Sequence, residues 1–329
     1  MRAPGFWWKE PGAAAALFAP LAKIYGSVAT RRLAQPGERI DIPVICVGNP
    51  TVGGAGKTPT AIAIAKMLIA AGERPMFLTR GYGGRLAGPL TVEAGHTAVQ
   101  VGDEPLLLVR VAPAIVAEDR VAGARLAENK GASIIVMDDG FQNPSLVKDV
   151  SVLVVDARGL GNGRVLPAGP LRAPLDPQLS RASAVLVVGG DAPVIEAAAH
   201  ARGLPIFHGK LEPDPDAVAS VRIKKVLAFA GIGDPEKFFA TLTAAGIDAP
   251  VRRGFPDHHR YSATEARALI RDADKENLQL LTTEKDFARL KDDAALVQLA
   301  ARARALPVTM NIREADAFGR LVLGAIKRT

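Results

Sequence analysis

Short apolar runs rich in β-branched residues alternate along the chain with longer stretches in which alanine and leucine recur at helical spacing. Buried strands of a parallel sheet are near-continuous apolar runs, and the helices that cover such a sheet carry an apolar face. The alternation therefore predicts an α/β fold. We expect strands near residues 44–47, 75–79, 114–117, 133–137, 151–156, 184–188, 205–211, 217–223, 226–230, 249–252, 278–281 and 306–310.

Residues 44–65 give the strongest local signal, an apolar strand followed by a glycine-rich turn and an alanine-rich helical pattern. Glycines let backbone N–H groups turn around phosphate oxygens, and the next helix points the positive end of its dipole at them. The strict phosphate-loop pattern is not met, because Thr51 stands where its first glycine belongs, but a turn that binds nothing is disfavoured by the GGAGKT run. The predicted nucleotide-binding residues are Thr51, Gly53, Gly54, Ala55, Gly56, Lys57 and Thr58.

Pairs of acidic residues lie next to two other apolar runs, one after a run and one before a run. The apolar run 133–137 ends in Asp138 and Asp139, which is the Walker-B pattern that holds Mg²⁺ at a strand tip, and the Thr58 hydroxyl is a further predicted ligand. Asp103 and Glu104 precede a proline at the start of an apolar run. Helix capping explains them, although such a carboxylate near the nucleotide is also placed to accept a proton from a substrate hydroxyl.

Three loops carry residues that suit ligand binding. Arg80 and Tyr82 lie in a glycine-rich turn at a strand end, where open α/β sheets bind ligands, and an ordinary solvated loop is the alternative. Residues 159–177 are too rich in proline and glycine for regular structure, which favours a substrate-facing loop. His258 and His259 share one loop, which has too few ligands for a metal site. An ordinary surface loop with exposed histidines is the alternative interpretation.

Residues 1–35 differ from the rest of the chain, because both tryptophans lie there beside cations and a short apolar segment. Such a composition suits a helix in an anionic membrane interface, but a helix packed on its own domain is equally consistent with it. The aromatic and basic residues of the segment are Phe6, Trp7, Trp8, Lys9, Lys23, Tyr25, Arg31 and Arg32.

Composition and charge narrow the class of protein. The 329 residues, 48% of them hydrophobic, suffice for two domains, and the formal charge of +7 favours anionic partners. A single cysteine, Cys46, excludes an internal disulfide and indicates a reducing compartment. No stretch is expected to approach the roughly 20 apolar residues of a membrane span. The N-terminus lacks a clear signal-peptide cleavage site, so secretion is not expected.

The motifs VGNPTVGGAGKTP, TRGYGG, GDEP, DDGFQ, LPAGPLRAP, GIGDPEKFF, FPDHH and TTEKDFARL occur in this order along nearly the full chain. Together they resemble the tetraacyldisaccharide 4'-kinases of lipid A synthesis. The resemblance implies transfer of the ATP γ-phosphate to the 4'-hydroxyl of a tetraacylated disaccharide 1-phosphate, with Mg²⁺. It also implies a peripheral enzyme at the cytoplasmic face of the bacterial inner membrane, with an anionic membrane surface as a partner.

The resemblance further assigns roles to residues at matching positions. It makes Asp103 the partner of the attacking hydroxyl and His258 the residue that assists it, with His259 as the competing histidine. The implied catalytic residues are Asp103, His258, Lys57 and Asp139, the metal ligands are Thr58, Asp138 and Asp139, and the substrate contacts are Arg80, Tyr82 and Arg120. Two positions depart from the family pattern, because Asn143 and Ala173 stand where many members have histidine and glutamate.

The predicted architecture is a P-loop NTPase-like parallel sheet domain and a smaller α/β domain, joined by a two-stranded β linker. Its segments are a membrane-associating segment (1–35), a P-loop kinase core (36–203), a β-hairpin linker (204–224) and a C-terminal α/β domain (225–329), with a crevice that closes around ATP. The rival functions are a soluble P-loop kinase or ligase on a small metabolite and a membrane-associated nucleotide switch. No nucleic acid and no obligate protein partner are expected.

Overall fold

The computed structural model describes residues 3–290 and 294–326. Residues 1–2 and 327–329, at the ends of the first and last predicted segments, and residues 291–293 lie outside the described residues. The strands are β1 (Val44–Gly48), β2 (Pro75–Thr79), β3 (Leu90–Thr91), β4 (Ala114–Val116), β5 (Ile134–Asp138), β6 (Val150–Asp156), β7 (Ala184–Val188), β8 (Ile206–Pro213), β9 (Val226–Ala230), β10 (Val251–Gly254), β11 (Gln279–Thr283), β12 (Ala303–Leu306) and β13 (Val308–Ile312).

Helices separate most of these strands, and two short 3-10 helices span Gly5–Trp8 and Ala294–Leu296. The α-helices are α1 (Ala13–Leu33), α2 (Lys57–Ala70), α3 (Ala98–Val101), α4 (Asp103–Leu108), α5 (Arg120–Asn129), α6 (Leu175–Leu179), α7 (Pro193–His200), α8 (Pro215–Arg222), α9 (Pro235–Ala244), α10 (Ala263–Lys275), α11 (Glu284–Leu290), α12 (Val297–Arg302) and α13 (Ala315–Leu323).

Nine strands of the described residues form the larger sheet, in the order β13-β8-β7-β6-β1-β5-β2-β4-β3. Its seven inner strands are parallel, and only the edge strands β3 and β13 run antiparallel to their neighbours. Every residue of β1 is buried, as expected for a strand covered on both faces. Because β1 pairs with β5 so that Val47 lies opposite Asp138, the loops that follow these two strands meet at one edge of the sheet.

The position of helix α2 accounts for a sequence that is apolar on all sides. It packs on the centre of the larger sheet and is itself covered by α13 and α4. Its alanines Ala61 and Ala65 are fully buried and let the helix approach the strands closely, while Ile64 and Leu68 fill the surrounding core. Helices α5 and α7 cover the opposite face of the sheet.

The smaller sheet is entirely parallel, in the order β10-β9-β11-β12. Helices α10 and α12 pack on one face and α9 on the other, so each face has its own apolar core. Helix α10 begins with a capping box, because Ser262 accepts a hydrogen bond from the N–H of Glu265 and the Glu265 carboxylate accepts one from the N–H of Ser262.

The predicted β-hairpin at 204–224 is wrong. Its first half is β8, but residues 215–222 form helix α8, because Asp214 accepts a hydrogen bond from the N–H of Ala217 and Pro215 occupies the first helical position. The antiparallel partner of β8 is instead β13, paired from Pro213 opposite Val308 to Gly209 opposite Ile312. The two strands that lead between the domains are therefore distant in sequence.

The predicted end of the C-terminal domain also differs from the structure. The single strand expected at 306–310 is two strands in different sheets, since Pro307 separates β12 from β13. Helix α13 then packs on the larger sheet, where Phe318 is fully buried and its ring meets Phe207 edge-on at 5.1 Å. Residues 308–326 thus belong to the first domain, not to the predicted unit 225–329.

Helix α1 contradicts the expectation that no stretch is long and apolar enough to span a membrane. Its 21 residues are long and apolar enough to cross a membrane by length and composition, contrary to the prediction that no stretch approaches a span. One face is nevertheless covered by protein: Ala15, Ala22 and Leu33 are buried, and a Cβ at Gly26 would lie 3.5 Å from Pro174. The neighbouring residues 159–174 contain only isolated bridges, as their composition predicts, but helix α6 begins at Leu175, inside the stretch 159–177 that was expected to lack regular structure.

Replacing Phe318 with alanine should destabilise the first domain by about 3–5 kcal/mol, since it leaves a cavity in the core. The measurement is guanidinium unfolding followed by tryptophan fluorescence. This signal reports on the first domain because the indole of Trp7 donates a hydrogen bond to the Pro167 carbonyl. The exposed Arg320 of the same helix is the control, and Arg320→Ala should change the free energy of unfolding by less than about 0.5 kcal/mol. Equal effects of the two substitutions would show that α13 is not part of this core.

Candidate active site

Residues 49–56 form the predicted phosphate loop, between the end of β1 and the start of α2 at Lys57. Gly53 and Gly56 have φ angles of +106° and +95°, which side-chain-bearing residues rarely adopt. Within the described residues, the N–H groups of residues 53–56 donate no backbone hydrogen bond. Free N–H groups at a helix N-terminus form a site for phosphate oxygens.

Lys57 lies over this loop rather than in solvent. Its Nζ donates a hydrogen bond to Asn49 Oδ1 at 3.1 Å, lies 3.4 Å from the Gly53 carbonyl oxygen, and is 3.6 Å from Asp139 Oδ2. Burial lowers the pKa of Lys57, and the charge of Asp139 opposes that shift. Asn49 is fully buried and also donates to the Gly53 carbonyl, so it fixes both the loop and the lysine.

Thr58 and Asp138 provide a site that suits Mg²⁺. The Thr58 hydroxyl donates to Asp138 Oδ2 at 2.9 Å, while Asp138 Oδ1 is buried without a hydrogen-bond partner among the described residues. Burial raises the pKa of Asp138, and the neighbouring Asp139 raises it further. A hard cation with oxygen ligands would satisfy this orphaned oxygen and offset the cost of burying the carboxylate.

Asp139 has a different environment from its neighbour. It adopts a φ of +53°, which turns its carboxylate toward Lys57 and toward Arg172, whose Nη1 lies 2.9 Å from Asp139 Oδ1. Burial alone would raise the pKa of Asp139, but the two cations outweigh it and hold the value at about 2. Arg172 also donates to the Thr51 carbonyl at 3.1 Å and so ties loop 159–177 to the phosphate loop.

The two departures from the family pattern have structural roles here. Asn143 closes a turn, because its Oδ1 accepts hydrogen bonds from the N–H and the hydroxyl of Ser145. Ala173 is fully buried, and its carbonyl accepts a hydrogen bond from Gln178 at 2.7 Å. Neither residue supplies an ionisable group to the site.

The second domain brings His258 to Asp103, as the resemblance implied for these two residues. His258 Nδ1 and Asp103 Oδ1 are 3.1 Å apart, and the histidine has a φ of +53°. Its ring lies 5.1 Å from that of Tyr82, measured between centroids. His259 contacts Glu265 at 3.0 Å and stacks on Phe255, so only His258 of the two histidines faces the crevice between the domains.

Opposite charges determine the protonation of this pair. Burial opposes ionisation of Asp103, but the hydrogen bond from His258 and the charges of Lys285 and Arg289 hold the pKa of Asp103 well below its usual range. Burial lowers the pKa of His258, and the Asp103 carboxylate more than reverses this, so the net shift is upward. The pair is therefore a carboxylate beside an imidazole that is charged more readily than a free one.

Glu104 adds a third group to the cluster. Ligand atoms of Asp103, Glu104 and His258 all lie within 4.8 Å of one another, which is compatible with a metal site. However, Lys285 Nζ is 2.7 Å from Glu104 Oε1, and Arg289 Nε is 3.7 Å from Asp103 Oδ2. Because both carboxylates already face a cation of the second domain, we assign no metal to this cluster.

The predicted substrate contacts lie at the strand ends of the same crevice. Tyr82 is 65% exposed beside His258, and Arg80 forms an exposed ion pair with Glu118 at 3.9 Å. Arg120 is buried, donates to the Ala117 carbonyl, and leaves its Nε without a partner among the described residues. Burial lowers the pKa of Arg120 to about 10, and the nearby charge of Arg80 contributes.

The second domain also contacts the phosphate loop directly. Lys237 Nζ pairs with Asp156 and lies 3.5 Å from the Gly54 carbonyl oxygen. Arg158 pairs with Asp156 and, across the crevice, with Asp234 at 3.3 Å, while its guanidinium lies 4.4 Å from the centre of the Trp8 ring. The N-terminal aromatic residues and the second domain are thus joined at the edge of the loop.

Sequence reasoning missed four residues that hold the site together, namely Asn49, Arg172, Lys285 and Arg289. The signal for Asn49 was a polar residue directly after a buried strand. Arg172 lies within the motif LPAGPLRAP, and Lys285 and Arg289 lie within TTEKDFARL, but neither motif reveals contacts that only the fold creates.

Comparisons with known proteins agree with the resemblance seen in the sequence. A family model for tetraacyldisaccharide-1-P 4'-kinase (LpxK) matches residues 14–327. Tetraacyldisaccharide 4'-kinase of Rhodopseudomonas palustris (strain BisA53) is 50% identical over 99% of this chain and 96% of that protein. Tetraacyldisaccharide 4'-kinase of Methylobacterium sp. (strain 4-46) is 55% identical over 93% of this chain and 94% of that protein.

A solved structure is similar as well. The crystal structure of the "apo" form LpxK from Aquifex aeolicus in complex with ATP matches with a TM-score of 0.74 at 26% identity, covering 95% of this chain and 99% of that chain.

Replacing Asp103 with asparagine should lower the pKa of His258, because the carboxylate is what raises it. In the parent protein, the free energy of unfolding contributed by a raised histidine pKa is fully present below the unfolded value of about 6.5 and is lost as pH rises through the folded value. The variant should lose this pH dependence. NMR titration of the imidazole nitrogens measures the shift directly.

The matched control for that titration is Glu265→Gln, which removes the carboxylate that faces His259. It should leave the titration of His258 unchanged. A pKa of His258 that is the same in Asp103→Asn as in the parent would contradict the coupling of the pair.

Proposed function

The chain belongs to the tetraacyldisaccharide-1-P 4'-kinase family, and we propose that the crevice between its domains transfers the γ-phosphate of ATP to the 4'-hydroxyl of a tetraacyldisaccharide 1-phosphate. The observation that carries this proposal is the pairing of His258 with Asp103 beside Lys285, which contacts Glu104 and whose charge also acts on Lys57, Asp138 and Asp139.

The nucleotide phosphates bind at the free N–H groups of the phosphate loop in this proposal. Lys57 exchanges its contact with Asn49 for the β and γ phosphates, which are stronger acceptors for an ammonium group than a neutral amide. Thr58, Asp138 and Asp139 are the residues that would hold Mg²⁺, and the bound ion would supply positive charge beside the phosphates. Arg172 keeps Asp139 ionised for that role.

Asp103 receives the acceptor hydroxyl. Its Oδ1 is engaged by His258, while Oδ2 is buried and accepts no hydrogen bond within the described residues. The hydroxyl oxygen bonds to the γ-phosphorus as the bond from that phosphorus to the β–γ bridging oxygen breaks, and the hydroxyl proton passes to Oδ2. A carboxylate of low pKa suffices, because a loose phosphoryl-transfer transition state demands little prior deprotonation of the nucleophile.

We further propose that α1 attaches the enzyme peripherally to the cytoplasmic face of the inner membrane. Its exposed apolar side chains form one stripe, opposite the face that packs on the protein, and recur at spacings of three and four residues. Lys23, Arg31 and Arg32 flank the stripe and suit anionic headgroups. The stripe consists of Leu17, Leu21, Ile24, Tyr25 and Val28.

Transfer of label from [γ-³²P]ATP to the disaccharide 1-phosphate lipid in mixed micelles tests the reaction. Asp103→Asn should lower kcat by about 10²- to 10⁴-fold with little change in KM for ATP, because it removes the proton acceptor but no nucleotide contact. Lys57→Met should lower kcat/KM for ATP by about 10³-fold, because it removes the ammonium charge that stabilises the transferred phosphoryl group.

Asp248→Asn and Lys225→Met are the controls for these two variants, since both residues are exposed and pair with each other far from the crevice. Both should retain parental activity. An Asp103→Asn enzyme with near-normal kcat would remove Asp103 from the mechanism, and failure of the parent to label the lipid would refute the proposed reaction.

Replacing Leu17 and Ile24 with glutamate should weaken binding of the protein to vesicles that contain phosphatidylglycerol. Each apolar side chain that can no longer be buried forfeits about 1.5–3 kcal/mol, so Leu17→Glu/Ile24→Glu should lose more than tenfold in affinity in a cosedimentation assay. The control Val194→Glu/Val297→Glu changes two residues that are equally exposed elsewhere. Equal loss in both double variants would contradict a specific role of α1.

A further inference from the structure

Helices α4 and α11 meet across the crevice through side chains of opposite charge. Helix α11 of the second domain supplies one acid and two bases, and the first domain supplies their partners on α4 and just after it. The three pairs are Arg110 with Glu284 at 3.2 Å, Lys285 with Glu104 at 2.7 Å, and Arg289 with Asp103 at 3.7 Å.

Arg289 differs from the other two bases because its own domain holds it rigidly. Its guanidinium donates to the carbonyl oxygen of Gly231 at 3.0 Å and to that of His259 at 3.3 Å, and it lies 3.1 Å from Asp286 Oδ1. The side chain is only 8% exposed. Arg289 is therefore fixed to the loop that carries His258 before it meets the first domain.

The contact of Arg289 with Asp103 is electrostatic rather than a hydrogen bond. Its Nε lies 3.7 Å from Asp103 Oδ2, beyond hydrogen-bond distance, and Oδ2 accepts no hydrogen bond from any described residue. The cation thus favours the charged carboxylate without forming a hydrogen bond to Oδ2, the oxygen to which the proposed mechanism assigns the hydroxyl proton. A residue that donated to Oδ2 would compete with the substrate for it.

We propose that Arg289 is a positioning residue for phosphoryl transfer, which keeps Asp103 ionised and aligned with His258 while leaving Oδ2 free for the acceptor. This inference rests on the role of Asp103 proposed above. The charged groups that face Asp103 are His258, Glu104, Lys285 and Arg289. Of these, Arg289 is the one that contacts both the carboxylate and the backbone of the histidine loop.

The chemistry of this arrangement predicts a change in pH dependence as well as in rate. Loss of the guanidinium removes a positive charge from beside Asp103, so the pKa of that carboxyl rises. The acidic limb of the kcat/KM profile reports protonation of the free enzyme and should move to higher pH. A residue that only stabilised the fold would not move that limb.

The experiment compares full-length Arg289→Met, Arg289→Lys and the parent in the micelle assay between about pH 3 and 9, a range that extends below the ordinary aspartate pKa of about 3.9, with Arg302→Met as the control. Arg302 forms an exposed ion pair with Asp274 in the same domain. Arg289→Met should lose about 10²-fold in kcat, with KM for ATP nearly unchanged and the acidic limb shifted to higher pH. Arg289→Lys, which restores the charge, should recover the position of the limb, and Arg302→Met should match the parent.

Three outcomes would overturn the inference. The first is a kcat of Arg289→Met within about threefold of the parent, and the second is a loss of activity in Arg289→Met without movement of the acidic limb. The third is an acidic limb of Arg289→Lys that is shifted as far as that of Arg289→Met. If Arg289→Met does not fold, as judged by circular dichroism, the Arg289→Lys profile decides alone: a limb at the parental position supports the inference and a shifted limb refutes it. The same assay separates failure of this inference from failure of what it rests on: an unlabelled lipid with the parent refutes the proposed reaction, and an active Asp103→Asn enzyme refutes the role of Asp103.

Discussion

Charge pairing across the crevice between the two domains is the interaction on which the site depends. Four carboxylates lie there, three of them largely shielded from water and Asp139 with 38% of its side chain exposed, and each faces a cation or a hydroxyl donor. The carboxylates are Asp103, Glu104, Asp138 and Asp139, and the cations are Lys57, Arg172, Lys285 and Arg289. Buried ion pairs add little net stability, but a buried charge left without its partner costs several kcal/mol. Because two of the cations come from the second domain, the first domain's acidic helix α4 is compensated only when the domains are in contact. The pairs therefore fix the geometry of the crevice more than they stabilise the fold.

Much of the fold could be predicted from the sequence, and the α/β class is confirmed, with a smaller parallel sheet and a larger sheet that is parallel except at its two edge strands. Apolar runs identify buried strands because burial on both faces leaves a continuous signal. The hairpin failed at Asp214-Pro215, since an N-cap followed by proline starts a helix more strongly than the alternation in residues 217–223 favours a strand. The pairing of β8 with β13 was beyond reach, because it joins segments almost 100 residues apart, and local pattern carries no information on such a partner. For the same reason, the return of α13 to the first sheet was not foreseen.

The candidate site was predictable where a loop or strand end carries its own chemistry. The phosphate loop and the Asp138-Asp139 strand tip are contiguous in sequence, and the structure places them side by side because β1 and β5 are neighbours. The roles of His258 and Asp103 came from the family resemblance, and from the residues alone helix capping was the favoured role of Asp103. The groups that tune these residues were not predictable. The opposite pKa shifts of Asp138 and Asp139 arise from which cations each one faces, and adjacent letters in a sequence cannot reveal that.

The pairing of Pro213 with Val308 has a consequence for how this architecture is assembled. Paired strands lie about 4.8 Å apart, so residues 214–307 leave and re-enter the first sheet at adjacent points. The whole second domain is thus an insertion into a complete nucleotide-binding unit, in the manner of a cassette between two junctions. Such a cassette can be exchanged or reshaped without altering the order of the inner strands. Because Asp103 belongs to the first domain and His258 to the cassette, a change in the cassette would alter the groups that face this carboxylate rather than the carboxylate itself.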